Sequence, residues 1–305
     1  MKHIKFQGTD VEASRIALGC MRIYDLSEKE VDILINTCVE SGINFFDHAD
    51  IYGGGNCEEI FGGTLKRNKP LRDKIYIQSK CAIHNGMYDF SKEHITKSVD
   101  GILKRLGVER LDFLLLHRPD TLVEPEEIAE TFDLFERGGK VRWFGVSNQN
   151  PMQIELLQKY VKQRLMINQL QFSITNASMV GSGFNVNTEF DAAVDRDGSI
   201  LDYCRLKDIT IQPWSPFQHG FFAGSFIDNP EFAGLNDVMD SVAQKYGITK
   251  SALAIAWILR HPAKMQPIIG TTNIERIKNI CMASDIDISR DEWYDIFKAA
   301  GNRLP

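Results

Sequence analysis

Eight short apolar runs recur along the 305-residue chain, and the longer segments between them carry apolar residues at helical spacing. The runs are RIALG (15–19), INFFD (43–47), KIYIQSK (74–80), LDFLLLH (111–117), VRWFGVSN (141–148), MINQLQF (166–172), ITIQPWS (209–215) and QPIIGTT (266–272). Strands that alternate with helices pair in parallel through right-handed crossovers. Eight units with continuously apolar strands favour a closed (β/α)8 TIM barrel over an open doubly wound sheet.

The helical segments have recognisable ends. Ser27, with Glu30 three residues later, forms a capping box for a helix over Glu28–Ser41. Pro125 begins a predicted helix that ends at Gly138–Gly139. Acidic residues lie in its first turn, where the helix dipole favours negative charge. Further helices are predicted over residues 92–106, 151–160, 199–207, 235–246, 250–260, 274–282 and 289–300.

No linker rich in proline, glycine or serine divides the chain, and α/β barrels run at or above about 250 residues as one unit. We therefore predict a single domain over residues 1–305. Two connections, 173–198 and 216–234, are long, polar and contain glycine. Loops of this length are usually functional, and in a barrel we expect them on the C-terminal face.

Composition limits the partners. The formal net charge of −6 at pH 7 argues against nucleic acid or an anionic membrane, although a local pocket could still bind an anionic ligand. The longest apolar run, ALAIAWIL (252–259), has eight residues, whereas a membrane span needs about 20. The N-terminus lacks a signal-peptide type of segment, and the six cysteines form no CxxC pair. We expect reduced thiols in a cytoplasmic protein, with no disulfide framework and no metal site.

Ionisable residues follow three neighbouring strands. The second predicted strand ends in Asp47, the third in Lys80 and the fourth in His117, and Tyr52 lies on the loop five residues beyond Asp47. Active sites of α/β barrels lie at the C-terminal ends of the strands. The four side chains are therefore expected on one rim of the barrel.

This combination suits protonation of an oxygen on which negative charge builds. Asp47 would stabilise a buried Lys80, and a lysine near a phenol lowers the pKa of that phenol. Moving Tyr52 from a pKa of about 10 towards 7 requires about 4 kcal/mol, which a close desolvated cation can supply. His117 would orient or polarise a substrate carbonyl. Each residue alone could be structural, but their position at consecutive strand ends indicates a catalytic site.

Further polar residues surround Tyr52. His48, Asp50 and Glu58 are expected to be solvated or to support the site. Gly53–Gly55 lacks the strand-then-helix context of a GxGxxG fingerprint, so we do not interpret it as a dinucleotide-binding motif. These glycines either let the backbone pass close to a ligand or serve as a turn.

The ordered motifs resemble the aldo-keto reductase superfamily over nearly the whole chain. They are SRIALGCM, GINFFDHADIYGGGNCEEIFG, IYIQSK, LDFLLLHRPD, VRWFGVSN and QPIIGTTNIERI. The resemblance implies a (β/α)8 barrel that binds NADPH in an extended conformation without a Rossmann domain. Hydride would pass from nicotinamide C4 to a carbonyl carbon while a tyrosine protonates the oxygen. The catalytic tetrad of the family falls on Asp47, Tyr52, Lys80 and His117.

The resemblance also assigns cofactor-binding residues. Ser147, Asn148 and Gln169 match the residues that bind the nicotinamide carboxamide. Trp214 stands where an aromatic ring stacks on the nicotinamide, a position that is tyrosine in many members. Ser215 and the loop after it would approach the pyrophosphate.

The last motif departs from the family pattern. Many reductases carry Lys-Ser where this chain has Gly270, Thr271 and Thr272. Arg276 is retained at the position that meets the adenosine 2′-phosphate. The asparagine of the family four residues beyond it is replaced by isoleucine, with Asn279 beside it. Loss of the lysine removes one phosphate contact, while Arg276 can still form a bidentate pair. NADPH is the expected cofactor, with the strength of its preference over NADH left open.

The resemblance implies an NADP-dependent oxidoreductase acting on CH–OH donors, which reduces a small-molecule aldehyde or ketone to an alcohol as a monomer or weak homo-oligomer. Three alternatives stay open. The chain could be a cofactor-sensing accessory barrel with slow chemistry, or alcohol oxidation could be its physiological direction. Lys80 could also form a Schiff base, although a paired Asp47 would keep it charged and poorly nucleophilic.

The substrate pocket is expected to form from the loops Met21–Tyr24, Ile83–Tyr88, 173–198 and 217–226. The residues that could wall an apolar pocket are Tyr24, Tyr88, Phe172, Phe184, Phe221 and Phe222, with Asn185 or Asn187 to orient polar groups. Equally, several of them could simply pack the loops. The identity of the substrate does not follow from these residues.

Overall fold

The computed structural model describes residues 1–305, in which eight parallel strands curl into a nearly closed barrel. In chain order the strands are β1 (His3–Lys5), β2 (Glu12–Ser14), β3 (Ala17–Gly19), β4 (Phe45–Asp47), β5 (Tyr76–Cys81), β6 (Ile83–His84), β7 (Met87–Tyr88), β8 (Leu111–Leu116), β9 (Val141–Ser147), β10 (Leu165–Gln171), β11 (Thr210–Trp214) and β12 (Ile268–Ile269). The barrel order is β11-β10-β9-β8-β5-β4-β3-β12. Each predicted run overlaps one barrel strand, so the predicted (β/α)8 fold is confirmed.

Eleven α-helices accompany the strands. They are α1 (Glu28–Glu40), α2 (Asn56–Arg67), α3 (Lys92–Leu106), α4 (Pro125–Arg137), α5 (Pro151–Tyr160), α6 (Ser178–Phe184), α7 (Ile200–Leu206), α8 (Ala233–Tyr246), α9 (Lys250–Arg260), α10 (Ile274–Cys281) and α11 (Arg290–Ala299). The predicted capping box of α1 is present, with Ser27 and Glu30 bonded reciprocally. Helices α2 and α6 and the two hairpins β1–β2 and β6–β7 were not predicted.

The barrel closes at a narrow seam between β11 and β12. The β12 strand has only two residues and pairs with β3. On its other side, the backbone N–H of Gln266 donates to the carbonyl of Ile211 at 3.0 Å. Every helix of the structure is too short or too polar to span a lipid bilayer.

The barrel interior changes from apolar at one end to polar at the other. The β1–β2 hairpin leads into Phe6, whose ring lies 6.0 Å from that of Phe45 and 5.1 Å from that of Phe113 between centroids. Since residues two apart on a strand share a face, Asp47 follows Phe45 into the interior. By the same periodicity, His117 continues the inward row of Phe113 just beyond the end of β8. The rings of Phe6, Phe45 and Phe113 thus fill one end of the barrel. The other end, which we call the mouth, is polar and lies at the C-terminal ends of the strands.

Candidate active site

Asp47 and Lys80 form an ion pair inside the barrel. The Nζ of Lys80 donates to both carboxylate oxygens of Asp47, at 2.6 and 2.8 Å. The Lys80 side chain is fully buried and that of Asp47 is 3% exposed. Burial works to lower the pKa of Lys80, but the Asp47 carboxylate and the Tyr52 phenol outweigh it and raise that pKa. The lysine is therefore a fixed positive charge in a site of low dielectric constant.

A chain of buried glutamine amides supports this pair, and sequence reasoning missed it except at Gln169. The amide nitrogens of Gln78 and Gln169 donate to Asp47 Oδ1 at 2.6 and 3.1 Å and also to Gln212 Oε1 at 2.9 and 3.2 Å. Gln212 in turn donates to Gln266 Oε1 at 2.9 Å, and Gln266 donates to the carbonyl of residue 14 at 2.7 Å. In every one of these hydrogen bonds a glutamine amide nitrogen donates to an oxygen. The connected amides therefore hold the Asp47 carboxylate in one orientation.

Tyr52 lies above the ion pair. The Lys80 ammonium is 5.0 Å from the centroid of its ring, and the imidazole of His117 is 6.1 Å from it at 83°. Burial raises the pKa of Tyr52, and the opposing effect of Lys80 does not overcome it. The prediction that Lys80 moves this pKa towards 7 is therefore wrong for the free protein, because desolvation of the phenolate was left out. At neutral pH the phenol carries its proton, which is the state that a proton donor requires.

His117 follows β8 and its backbone N–H donates to the Cys81 carbonyl at 2.9 Å. Burial, with the positive charges of Lys80 and Arg118, holds the pKa of His117 well below its usual range. The imidazole is therefore neutral. Its Nδ1 is buried without a hydrogen-bond partner. The structure thus brings the four predicted residues to one rim of the barrel.

His48 and Glu58 are fully buried and Asp50 is half-buried, so the expectation that they are solvated is wrong for His48 and Glu58. His48 is fully buried with its ring 4.5 Å from that of Phe61, and burial followed by the charge of Lys80 lowers its pKa to about 3. Glu58, also fully buried, accepts from Ser79 Oγ at 2.6 Å and forms an ion pair of 2.7 Å with Arg105.

Asp50 lies in the same cluster behind the loop. Burial, and then the charge of Glu58, raises its pKa to about 7 against the opposing effect of Arg105. The backbone N–H of Asp50 donates to the carbonyl of Lys80 at 2.9 Å, which continues the pairing of β4 with β5. The cluster of Asp50, Glu58 and Arg105 is therefore attached to β5, the strand that carries Lys80, through the bonds of Asp50 to Lys80 and of Glu58 to Ser79.

Gly53–Gly55 forms the turn that leads the chain from Tyr52 into α2. The φ angles of these residues are +57°, +64° and +97°, in the left-handed region that favours glycine. A Cβ on Gly55 would lie 2.9 Å from Cδ of Arg105, whereas a Cβ on Gly54 would meet nothing within 4 Å. The conformation supports the interpretation of these glycines as a turn.

Four predicted cofactor residues form one connected group. The hydroxyl of Ser147 donates to the carbonyl of Gln169 at 3.1 Å. Asn148, with φ of +55°, donates through Nδ2 to Ser147 Oγ at 2.7 Å and accepts from Trp214 Nε1 at 3.2 Å. Hydroxyl, amide and indole groups are thus collected beside Asp47 at the barrel mouth, a donor set that fits a carboxamide-bearing aromatic ring.

The remaining predicted cofactor residues lie at β11 and around α10. Ser215 directly follows β11 with φ of +51°. Gly270, Thr271 and Thr272 connect β12 to α10, whose N-cap residue is Asn273. Arg276 is exposed in the first turn of α10, and Asn279 is half-buried on the same helix. A free guanidinium beside a helix N-terminus suits a phosphate group.

The residues proposed to wall the substrate pocket divide into two groups. Phe172 is buried with its ring 5.6 Å from that of Trp257, and Phe184 packs against Trp293 and Phe297, so both stabilise the core. The exposed fractions of the others are 49% for Tyr24, 47% for Tyr88, 65% for Phe221 and 59% for Phe222. Asn185 is buried and donates to two backbone carbonyls, while Asn187 is exposed.

Arg118 is a residue of the mouth that sequence reasoning did not assign. Its guanidinium lies 5.9 Å from the ring of Trp214 and 5.8 Å from that of Phe221, and no carboxylate forms an ion pair with it.

All six cysteines are free and buried, and none of them lies in the tetrad.

The fold and the site define a (β/α)8-barrel protein with a buried Asp–Lys pair beneath a tyrosine and a neutral histidine. The model of the Aldo/keto reductase family matches residues 15–300. The chain belongs to this family of oxidoreductases, which confirms the resemblance seen in the sequence.

Individual relatives cover nearly the whole chain. A 6-dehydroglucose reductase of Agrobacterium fabrum is 35% identical over 304 residues, with 95% of each chain covered. The oxidoreductase YdhF of Escherichia coli is 33% identical over an alignment of 302 residues, with 95% of this chain and 94% of that one covered. An aldo-keto reductase from Klebsiella pneumoniae, solved in complex with NADPH, has a TM-score of 0.79 at 22% identity and covers 100% of this chain and 96% of its own. At that identity the structural similarity concerns the fold.

Proposed function

We propose that this protein is an NADPH-dependent reductase that converts an aldehyde or ketone to an alcohol, with Tyr52 as the proton donor. The observation that carries the proposal is the placement of a charged, fully buried Lys80 between the Asp47 carboxylate and the Tyr52 ring. A buried cation under a protonated phenol is arranged to stabilise the phenolate that remains after proton transfer.

NADPH, when bound, supplies the hydride. Ser147, Asn148 and Gln169 would hold the carboxamide, and Trp214 would contact the nicotinamide ring. Ser215 and the segment of Gly270, Thr271 and Thr272 would approach the phosphates, and Arg276, with Asn279 on the same helix, would meet the 2′-phosphate. The Klebsiella pneumoniae structure in complex with NADPH supports this choice of cofactor.

The residues of the tetrad then have separate roles. His117, neutral because of its low pKa, donates a hydrogen bond to the substrate carbonyl and orients it. Tyr52 transfers its phenolic proton to the oxygen as negative charge develops there. Lys80 stabilises the resulting phenolate, while Asp47 and the glutamine amides hold the ammonium in place.

Two alternatives are less well supported. The raised pKa of Lys80 keeps the amine protonated, which disfavours Schiff-base chemistry. Because the tetrad is complete, no specific observation supports an accessory barrel with slow chemistry. Alcohol oxidation uses the same groups in reverse, so the direction depends on the concentrations of substrate and cofactor.

The rim favours a polar substrate. Arg118 presents a guanidinium without a carboxylate partner next to His117 and above the ring of Trp214. Such a group binds hydroxyl or anionic oxygens well. The similarity to a 6-dehydroglucose reductase agrees with a hydroxylated, sugar-like aldehyde.

The test follows the loss of NADPH absorbance with para-nitrobenzaldehyde for the wild type and Tyr52→Phe. We expect kcat to fall by at least about 100-fold in the variant because a general acid contributes about 10²–10⁴-fold. Tyr160→Phe, at the far end of α5, is the matched control and should keep full activity. Quenching of protein fluorescence by NADPH should be equal in all three proteins. Equal turnover of Tyr52→Phe and wild type would refute the role of Tyr52.

A further inference from the structure

A cluster of two histidines and one aspartate lies beyond the end of β5, on and next to the loop Ile83–Tyr88, and contains no residue of the tetrad. One potential ligand atom each from His84, Asp89 and His94 lies within 4.8 Å of the others. The imidazole rings of His84 and His94 are 4.8 Å apart between centroids and inclined by 34°. The cluster joins the β6–β7 hairpin to the first turn of α3.

We propose that His84, Asp89 and His94 form a binding site for one divalent transition-metal ion of the Zn²⁺ type. Two imidazole nitrogens and a carboxylate oxygen are a donor set that such ions accept, with water to complete the coordination. In a tetrahedral site with bonds of about 2.0–2.1 Å, ligand atoms lie about 3.4 Å apart. Small side-chain rotations therefore bring the three ligand atoms to bonding distance.

A second observation at His84 also points to a ligand, because one of its ring nitrogens has no hydrogen-bond partner. Its Nδ1 is buried and has no hydrogen-bond partner, although Nε2 contacts Asn85 Nδ2 at 3.1 Å. Buried polar atoms in proteins are almost always paired. We assign Nδ1 as the ligand atom of His84, and a metal ion would supply the partner that this nitrogen lacks.

The backbone of the hairpin fixes the first ligand. Asn85 and Gly86 have φ angles of +47° and +79°, the pair of positive values found in a tight type I′ hairpin turn. The backbone N–H of Asp89 donates to the carbonyl of Ala82 at 3.1 Å and closes the base of the hairpin. His84 and Asp89 therefore keep their relative positions without a metal.

The start of α3 fixes the other two ligands. Oδ1 of Asp89 accepts from the backbone N–H of Ser91 at 2.9 Å, and Ser91 is the N-cap residue of the helix. The Ser91 hydroxyl accepts from the backbone N–H of His94 at 3.3 Å. All three ligands thus stand on ordered backbone, which is the preorganisation that a metal site needs.

Binding would fasten the hairpin to α3, because the ligands come from both elements. The hairpin lies on the loop that follows β5, the strand of Lys80. None of the three ligands belongs to the tetrad or to the proposed cofactor residues. The metal site and the reductase activity can therefore fail or succeed separately.

The experiment titrates full-length, chelator-treated protein with Zn²⁺ by calorimetry and with Co²⁺ by visible absorption. The variants are His84→Ala and His94→Gln, and the control is His3→Gln on the exposed β1 strand. Glutamine at position 94 keeps the backbone N–H that donates to Ser91 and is a residue type that suits this position of the helix. Circular dichroism and metal-free Tm establish that each variant is folded.

We expect one Zn²⁺ per chain in the wild type and in His3→Gln, with a Tm rise of about 3–6 °C at saturation. The Co²⁺ complex should show the d–d bands of a site with imidazole ligands. Folded His84→Ala and His94→Gln should lose both signals. No binding by the wild type at micromolar metal, or unchanged binding by both variants, would overturn the proposal.

Discussion

Two buried carboxylate clusters flank the loop between β4 and α2, and their charges are balanced differently. On the barrel side, Asp47 accepts from Lys80 and from two glutamine amides. On the helix side, Glu58 forms an ion pair with Arg105, and the charge of Arg105 also acts on the half-buried Asp50. The first cluster has one positive charge for one carboxylate, whereas the second has one positive charge for two carboxyl groups.

The difference explains how each cluster responds to pH. The balanced pair keeps Lys80 protonated, so a charge stays in a fixed place for chemistry. In the unbalanced cluster, burial and the charge of Glu58 raise the pKa of Asp50 to about 7, so this carboxyl keeps its proton below about pH 7. The first arrangement suits the proposed reaction, while the second makes the stability of the fold depend on pH.

The largest effect is expected from breaking the balanced pair with Lys80→Met. The Asp47 carboxylate would remain buried without a cation, which should lower the free energy of unfolding by about 3–5 kcal/mol. Turnover should fall by at least about 100-fold because the phenolate loses its stabilising charge. Denaturant unfolding and NADPH consumption measure the two effects. Adding Asp47→Asn should recover much of the stability and none of the turnover, and recovery of turnover would contradict the catalytic role proposed for Lys80.

Removing the cation from the unbalanced cluster with Arg105→Gln should affect stability more than activity. Glu58 would keep only its hydrogen bond from Ser79, and the free energy of unfolding at pH 8 should fall by about 2–4 kcal/mol. The loss should be smaller at pH 5, where the two carboxyl groups can take up protons. Urea unfolding at both pH values tests this, with kcat expected to stay within about threefold. A loss of turnover as large as that of Lys80→Met would show that the clusters are not separate.

Asp50→Asn should sharpen the comparison by removing the titrating carboxyl. The pKa of Asp50 is about 7 in the folded protein and about 3.9 in an unfolded chain. Between these values the folded state binds more protons, so wild-type stability falls as pH rises from about 4 to about 7. The variant should gain about 2 kcal/mol relative to wild type between pH 5 and pH 8. Urea unfolding of both proteins gives this difference, in which the titration of His48 cancels; a pH-independent difference would mean that Asp50 is ionised in the fold.

The smallest effect is expected from Gly54→Ala in the turn between the two clusters. The φ of +64° should cost an alanine about 1 kcal/mol of stability, and turnover should be unchanged since a Cβ meets nothing. Gly55→Ala is the matched comparison and should lose more, because its Cβ would press on the side chain of Arg105. Thermal unfolding and kcat measure both variants. A specific loss of turnover in Gly54→Ala would indicate that this backbone approaches a ligand.

The barrel could be predicted from the sequence because its strands are continuous apolar runs in a regular order. The same order, with the two-residue period of a strand, is enough to place Asp47, Lys80 and His117 on one rim. Helix α2 could not be predicted, since it contains Gly62–Gly63, which a propensity argument reads as loop. A Cβ on Gly62 would lie 2.4 Å from the carbonyl oxygen of Arg105, so this glycine is needed for close packing of α2 on α3.

Other features depend on tertiary register, which one sequence does not give. The four glutamines of the amide chain come from separate strands or their edges, and only the barrel brings them together. The pKa of Tyr52 depends on burial, which outweighs the charge of Lys80. The cluster of His84, Asp89 and His94 depends on the β6–β7 hairpin, for which the Asn-Gly pair was an unused signal.

The amide chain also bears on the order in which the molecule folds. Its last hydrogen bond joins Gln266 to residue 14 across 252 positions of sequence. Contacts of such separation form late, because the entropy of closing a long loop must be met before they stabilise anything. The support of Asp47 is therefore complete only after both ends of the chain have docked. Recovery of turnover during refolding would consequently lag behind recovery of helix content. The rate at which turnover returns would then report the rate of barrel closure.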